Sequence, residues 1–367
     1  MEIRPYTADL EVAVHAFNQR LQARGEKRWR IPETHLQRFP KQNARNPYQE
    51  FFLAWHDGQV RGGYLLTHSR FLVRGETISI ACGPQLNLTE GVVDPAYSMV
   101  GVMQLQDALQ RQPLMYGLGM GGMNAPLTRL FTAMGWHSYP LGFHFKIRSA
   151  DSFLKNVTYL RKNRKKRVVL DLLRYTRTGS MGVRLLQAHF PVGTGEPSPH
   201  PVDNFGSWAD SLWEHSRQSY SLISVRDSAT LNAVYPPEDL RFLRLRVSQG
   251  ERDLGWAVVL DTQMSEHKQF GNMRVGSIVD CLAAPADAKH VIGAATDFLQ
   301  ARGVDIIVSN QASVAWSKAL TSNGYLCGPS NFILALSPDL MKRLEPLDQH
   351  KPHIHMNRGD GDGPINL

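Results

Sequence analysis

Cysteine is scarce in this sequence of 367 residues: there are three, Cys82, Cys281 and Cys327, with no CxxC spacing. An odd number cannot all pair within the chain. That excludes a disulfide-built fold and fits a reducing, cytoplasmic compartment. Long hydrophobic runs are missing too, none approaching the roughly 20 residues of a membrane-spanning helix. The first residues, MEIRPYTADLEVAV, lack the positive-then-apolar layout of a signal peptide. GLGMGG at 117–122 lacks the lysine of a GxxxxGK[ST] phosphate loop and precedes its helix too loosely for a dinucleotide fingerprint, so it reads as a turn. The tail HIHMNRGDGDGPINL sets Asp360 and Asp362 near His353 and His355 but has neither the further ligands nor the final glutamate of an EF-hand. No metal is expected. The tail is either disordered or folded back with its carboxylates towards a substrate.

What is present is enough for two ordinary domains: 367 residues, 42% hydrophobic and 20% charged. The net charge of +8 suggests nucleic acid until it is located. Six positive charges sit in RKNRKKR at 161–167, leaving +2 (eight less six) for everything else. The basicity is local. On a helix such a run is a solvated face, or a contact for RNA, anionic lipid or an acidic substrate.

Periodicity divides the chain. Residues 1–150 read as mixed α and β: LEVAVHAFNQRLQA helical, EFFLAWHDGQVRGGYLLTHSRFLVRG a hairpin turning at Asp57-Gly58, TISIACGPQLNL a strand, PAYSMVGVMQLQDALQRQ a helix, PLMYGLGM a strand, and HSYPLGFHFKIR the closing strand. Residues 151–180 are helical and charged, a connector. Residues 181–340 repeat the pass. WADSLWEHSRQ and SLISVRDSATLNAVYP read as helices, LRFLRLRVSQGERDLGWAVVLDTQ as a hairpin, MRVGSIVDCLAAP as a strand. ADAKHVIGAATDFLQARG follows as a helix, then VDIIVSN and NFILALS as strands. Residues 341–367 form the tail.

One motif marks the repeat. NAPLTRLFTAMGW (124–136) is an amphipathic helix ending in glycine and an aromatic, and SVAWSKALTSNGY (313–325) has the same ending. Pro95 lies 40 residues before Gly135, and Pro285 lies 39 before Gly324. The halves are copies of one architecture.

A strand, a proline, a helix opening on small residues, a strand and an N…G-aromatic helix together resemble the GNAT superfamily of acyl-CoA-dependent N-acyltransferases, as tandem copies related to the Fem-type peptidoglycan aminoacyl transferases. The resemblance implies an α/β (mixed α+β) fold of two GNAT-like domains, each a mixed sheet flanked by helices, joined by the basic connector. It implies acetyl-CoA or another acyl-CoA as cosubstrate. The diphosphate would be held at a helix N-terminus, which carries about +0.5 charge and free N–H groups. In the first half Val93, Ser98, Val100, Gly101 and Val102 occupy that place, and Asn124 opens the next helix. Ser98 stands where the family has Arg or Gln. In the second half Val291 fills the position of Gly101. The family's general-acid tyrosine falls on Phe131 and Leu320, neither of which can donate a proton. Glu90 and Asp280, each five residues before its proline, are the candidate bases, against the reading of ordinary strand-end charges. His137, Tyr139 and His144 are weaker candidates. The implied reaction is acyl transfer to an amine, with an amino sugar or cell-envelope polysaccharide precursor as acceptor. The alternatives are a GNAT-shaped scaffold without chemistry and a transferase fed by aminoacyl-tRNA.

Overall fold

Continuous buried runs, Phe51–Ala54 in Tyr48–His56 and Ile80–Pro84 in Glu76–Thr89, show why this sequence makes sheets: these apolar strands are covered on both faces. The structure, a computed structural model, describes residues 1–41, 46–161, 197–345 and 353–361. Most of the basic run, from Lys162 onward, and Asp362 lie outside the described residues. In chain order the elements are β1 (Glu2–Pro5), α1 (Glu11–Ala23), β2 (Tyr48–His56), β3 (Gln59–Val73), β4 (Glu76–Thr89), α2 (Val100–Arg111), β5 (Met115–Leu118), α3 (Pro126–Ala133), β6 (His137–Pro140) and β7 (Gly142–Ile147). Two short helices, α4 (Ala150–Asn156) and α5 (Thr158–Arg161), follow. Then come β8 (Ser198–Pro201), α6 (Ser207–Ser216), β9 (Leu222–Ser224), α7 (Ser228–Val234), β10 (Leu243–Gln249), β11 (Arg252–Gln263), β12 (Arg274–Ala283), α8 (Ala288–Ala301), β13 (Ile306–Gln311), α9 (Val314–Ser322), β14 (Leu326–Gly328), β15 (Ile333–Leu336), α10 (Pro338–Leu344) and β16 (Ile354–His355).

These elements form two units. The first comprises Met1–Pro140 with Ile333–Lys351, and the second Leu141–Phe332 with Pro352–Leu367. The sheet of the first runs β1-β2-β3-β4-β5-β15-β6, antiparallel except where β5 lies parallel to β4. The helix α1 covers one face, over Val14, Phe17, Leu21, Phe51 and Leu53. Leu105, Ala108 and Phe131 of α2 and α3 pack on the other, with Tyr64, Leu66 and Trp136. The sheet of the second unit runs β14-β7-β13-β12-β11-β10-β8, with β13 parallel to β12. The strands β9 and β16 pair in parallel.

Both sheets share one element order, as the repeat requires, but neither unit is continuous in sequence. The strand β7 belongs to the second sheet, between β13 and β14; β15 belongs to the first, between β5 and β6. Each half gives its last strand to the other half's sheet. The expected boundaries at 150 and 180 are therefore replaced by crossings at Pro140–Leu141 and Phe332–Ile333. A run such as FILAL shows that a strand is buried, not which strands flank it. Ser337 fastens the returning segment: its N–H donates to Met115 O (2.9 Å), its hydroxyl to Pro113 O (2.7 Å), and it accepts from Met115 N–H (3.1 Å). SLISVRDSATLNAVYP, expected as one helix, is the strand β9 followed by α7.

The two glycine-ended helices match in detail. Trp136 N–H donates to Phe131 O and Gly135 N–H to Thr132 O; Tyr325 N–H donates to Leu320 O and Gly324 N–H to Thr321 O. Both glycines have φ of +80°, the left-handed C-cap that costs other residues about 1–2 kcal/mol.

Because β15 sits inside the first sheet, a fragment ending at residue 150 keeps the long hairpin but exposes unpaired edges on β5 and β6. It is expected to show no cooperative urea transition and rapid proteolysis, whereas the full chain unfolds cooperatively. A stably folded fragment would contradict the exchange.

Candidate functional site

In the first unit the strands β4 and β5 begin as a parallel pair, Ala81 beside Met115 and Cys82 beside Tyr116, with Ala81 N–H donating to Leu114 O (3.1 Å). There the pairing ends. The strand β4 continues to Thr89 with β3 as its partner, through register shifts near Leu65, while β5 turns to β15. The result is a V-shaped gap with backbone groups along its β4 side.

At the wide end, two turns, Glu90–Val92 and Pro95–Tyr97, carry the chain to α2. They approach so closely that a side chain at Gly91 would place its Cβ 2.7 Å from Tyr97 O. The first bond closing the helix runs from Met103 N–H to Met99 O, so the N–H groups of Val100, Gly101 and Val102 have no helical acceptor. No acid lies in this first turn. Ser98 is exposed; Val93, Gly101 and Val102 are half-buried; Val100 is buried. Asn124, exposed, precedes α3 on the connection leaving β5. The connections after two adjacent parallel strands lie at one end of the sheet, so the sequence-derived residues are brought together there. Four of the exposed large apolar side chains, Leu86, Val92, Met99 and Met123, belong to β4 and these same connections.

Glu90 is 1% exposed and clasped by two arginines, with Arg61 Nη1 2.8 Å from Oε2 and Arg20 Nε 3.2 Å from Oε1. Burial alone would raise its pKa, but hydrogen bonds from Arg61 and Arg20 hold it below the usual carboxylate range. Asp280 is engaged on both oxygens. Oδ1 accepts from Arg226 Nε (3.1 Å), Asn357 Nδ2 (2.8 Å) and its neighbour Cys281 N–H (2.8 Å); Oδ2 accepts from the Tyr235 hydroxyl (2.9 Å). The two carboxylates are not equivalent, as equal spacing from proline suggested: Glu90 follows its strand, whereas Asp280 lies inside β12. Both are bound up in ion pairs rather than poised for proton transfer.

The second unit opens in the same way and is then filled. Three parallel pairs, from Val275–Ile306 to Ser277–Val308, precede the divergence of β12 and β13. Into that gap comes the C-terminal segment. Ala312 N–H donates to Met356 O (2.9 Å), and Asn357 bridges Gln311. The His355 ring stands edge-on to Tyr220 and Trp316. The carboxylate of Asp360 accepts from Arg226 Nη2 (2.9 and 3.0 Å), from the Ser224 hydroxyl (2.6 Å) and from Asn357 N–H (2.9 Å). Burial raises the pKa of Asp360 against the pull of Arg226. Residues 353–361 of the tail are thus packed into the second unit, and the Asp360 carboxylate is paired with Arg226. At the tip of α8 stands Asp287, paired with Arg252 (2.6 Å), and Val291 is fully buried. Negative charge at a helix N-terminus already answers its dipole and repels a diphosphate.

The remaining candidates separate. His137 is exposed on β6, Tyr139 is half-buried with its hydroxyl 3.8 Å from Met341 Sδ, and His144 is buried in the other unit's sheet with its pKa lowered by burial. Phe131 stacks on Trp136 with centroids 4.2 Å apart, and Leu320 is fully buried, so neither place offers a hydroxyl. Sequence reasoning missed Arg20, Arg61, Arg226, Tyr235 and Asn357. The signal for Arg226 was an arginine directly after the apolar run LISV. Among the described residues no cluster of His, Cys, Asp and Glu is arranged to hold a metal, and no helix is long and apolar enough to cross a membrane.

No protein-family model matches the sequence, and no curated protein does. Solved structures do match. A conserved protein of unknown function from Enterococcus faecalis, described as a probable N-acyltransferase, is 11% identical over 94% of this chain and 74% of that one, with a TM-score of 0.53. A GCN5-related N-acetyltransferase from Anabaena variabilis (9% identity, 78% of this chain, 62% of that one, TM-score 0.48) and an N-myristoyltransferase from Saccharomyces cerevisiae with bound myristoyl-CoA and inhibitors (10%, 92% and 79%, TM-score 0.49) follow. The chain spans less than two thirds of the Anabaena protein. At 11% identity the likeness to the Enterococcus protein shows the fold alone, a mixed α/β architecture.

Removing one partner of a buried ion pair costs about 3–5 kcal/mol. Asp360→Asn should lower stability on that scale, measured by urea unfolding. Glu90 titrates with the opposite sign to a raised acid: its depressed pKa contributes stability above the unfolded value of about 4.3, and that contribution disappears as pH falls below it. Glu90→Gln should be less stable near neutrality and should lack this part of the acid dependence. Equal curves for Glu90→Gln and the parent chain would refute the clasp.

Proposed function

We propose that this chain is an acyl-CoA-dependent N-acyltransferase with one donor site, in the gap of the first unit. The observation that carries the reading is the asymmetry between the gaps. In the first, β4 and β5 part beside a helix tip with free N–H groups and no acid. In the second, the space holds residues 354–360 and the tip holds Asp287. Val100, Gly101 and Val102 would present N–H groups to the diphosphate of coenzyme A, with Val93, Ser98 and Asn124 around it. The β4 backbone edge would take the pantetheine arm, and exposed Leu86 and Met99 would lie along apolar parts of the donor.

The reaction is attack by a neutral amine on the thioester carbonyl. The new C–N bond forms, backbone N–H groups stabilise the oxyanion, and the C–S bond breaks. Glu90 remains ionised between its arginines and keeps the turn in place. With Phe131 lacking a hydroxyl, the departing thiolate takes the proton that the amine nitrogen sheds once the C–N bond has formed, directly or through water. Acetyl-CoA and longer acyl-CoAs are both candidate donors. An amino sugar or a cell-envelope polysaccharide precursor is the preferred acceptor.

Phe131 and Leu320 favour a second reading, a scaffold without chemistry. The two are separated by thermal shift with acetyl-CoA, longer acyl-CoAs and free coenzyme A. A ligand at 100 times its Kd adds about 2.7 kcal/mol, and titration calorimetry should return one site per chain. Gly101 can be tested cleanly: a Cβ there meets only Thr89 Cγ2, at 3.6 Å, so Gly101→Ala should fold normally. Gly101→Glu, which sets a carboxylate at the tip, should abolish the shift. Two sites per chain, or a shift that survives Gly101→Glu, would refute the assignment. No shift with any thioester, together with RNA in the purified protein, would favour a tRNA-borne donor.

A further inference from the structure

The segment that fills the second gap carries one side chain that its folding role does not explain. Asp360 answers Arg226, Asn357 answers Asp280, and His355 packs between aromatic rings. Arg358, between them, is different. Its Nη1 donates to Asn310 Oδ1 (3.1 Å), and its guanidinium lies 5.6 Å from the centre of the Phe332 ring. Its Nε is enclosed with no acceptor. No carboxylate among the described residues lies within ion-pairing distance of it, whereas Arg226 has two. Burial pulls its pKa down to about 10, so it remains charged at neutral pH. The residue nonetheless keeps partial solvent access.

A charge withdrawn from water without a counterion destabilises a fold unless a ligand supplies the opposite charge. A guanidinium is a planar fork of donors matched to a carboxylate or phosphate. Here one edge is fixed by the Asn310 amide and one face by Phe332, so the fork is held in place rather than left to swing. We infer that Arg358 is an oxyanion-recognition residue of the second unit: the filled gap has become a site for the carboxylate or phosphate group of a small ligand. The site needs no acyl donor, and its test does not depend on one.

The full-length chain is titrated with inorganic phosphate, and separately with acetate and malonate, at constant ionic strength set by sodium chloride, while Tm is followed. One oxyanion class should raise Tm over the chloride control, and which class does so names the source. Arg358→Gln and Arg358→Met should lose that rise, and Arg358→Lys should retain only part of it. Without ligand, Arg358→Met should melt at or above the parent temperature, because an unanswered charge has been removed. A rise of equal size in Arg358→Gln, no rise with any of the three anions, or an Arg358→Met chain that melts well below the parent would each overturn the inference. The last outcome would make Arg358 a structural residue.

Discussion

A strand that leaves its neighbour inside a sheet must find other partners for its backbone N–H and C=O groups, because orphaned ones are costly in a protein interior. That constraint organises both units. In each, a parallel pair separates after two or three registered residues, and the exposed edge has to be answered. The second unit answers from within the chain, with Met356 and Asn357 reaching the end of β13. The first leaves β4 facing an opening beside the tip of α2. One geometry thus yields a plugged gap and an open one, and the functional reading follows from that difference.

The plug also explains where the strongest electrostatics lie. The segment buries two apolar side chains, Ile354 and Met356, and is otherwise polar residues and glycine. Hydrogen-bonded charge holds the rest: Arg226, itself 1% exposed, lies between Asp280 of the sheet and Asp360 of the tail. Burial disfavours the ionised forms, and the facing charges restore them. Glu90 plays the matching part in the first unit, tying α1 and β3, through Arg20 and Arg61, to the turn that launches α2.

Much of the architecture was legible because it is local. Glycine followed by an aromatic, after a helical stripe, specifies the same left-handed cap at Gly135 and Gly324. Hairpin turns and strand periodicity gave the element order. The reciprocal strand exchange was not legible, since FHFKI and FILAL state only that they are buried strands. Counting back five residues from Pro95 and Pro285 failed to find equivalent carboxylates because β12 runs closer to its proline than β4 does. The tail was opaque for another reason: its order comes from pairing with Arg226 and Asp280, which lie far away in sequence. The helix-tip residues Val100, Gly101 and Val102 were readable, since a helix start beside a strand end is itself a short-range pattern.

The reciprocal exchange bears on how the molecule is made. During synthesis the sheet begun by β1 to β5 lacks an interior strand until residues 333–336 emerge, and β7 must wait for β13 and β14. Neither half can close its sheet while the other is unsynthesised. The nascent chain therefore carries open β edges until β15 has been made, the condition that slows folding and invites wrong pairing. Maturation of one half before the other is closed to it; neither sheet is complete until both halves have been made.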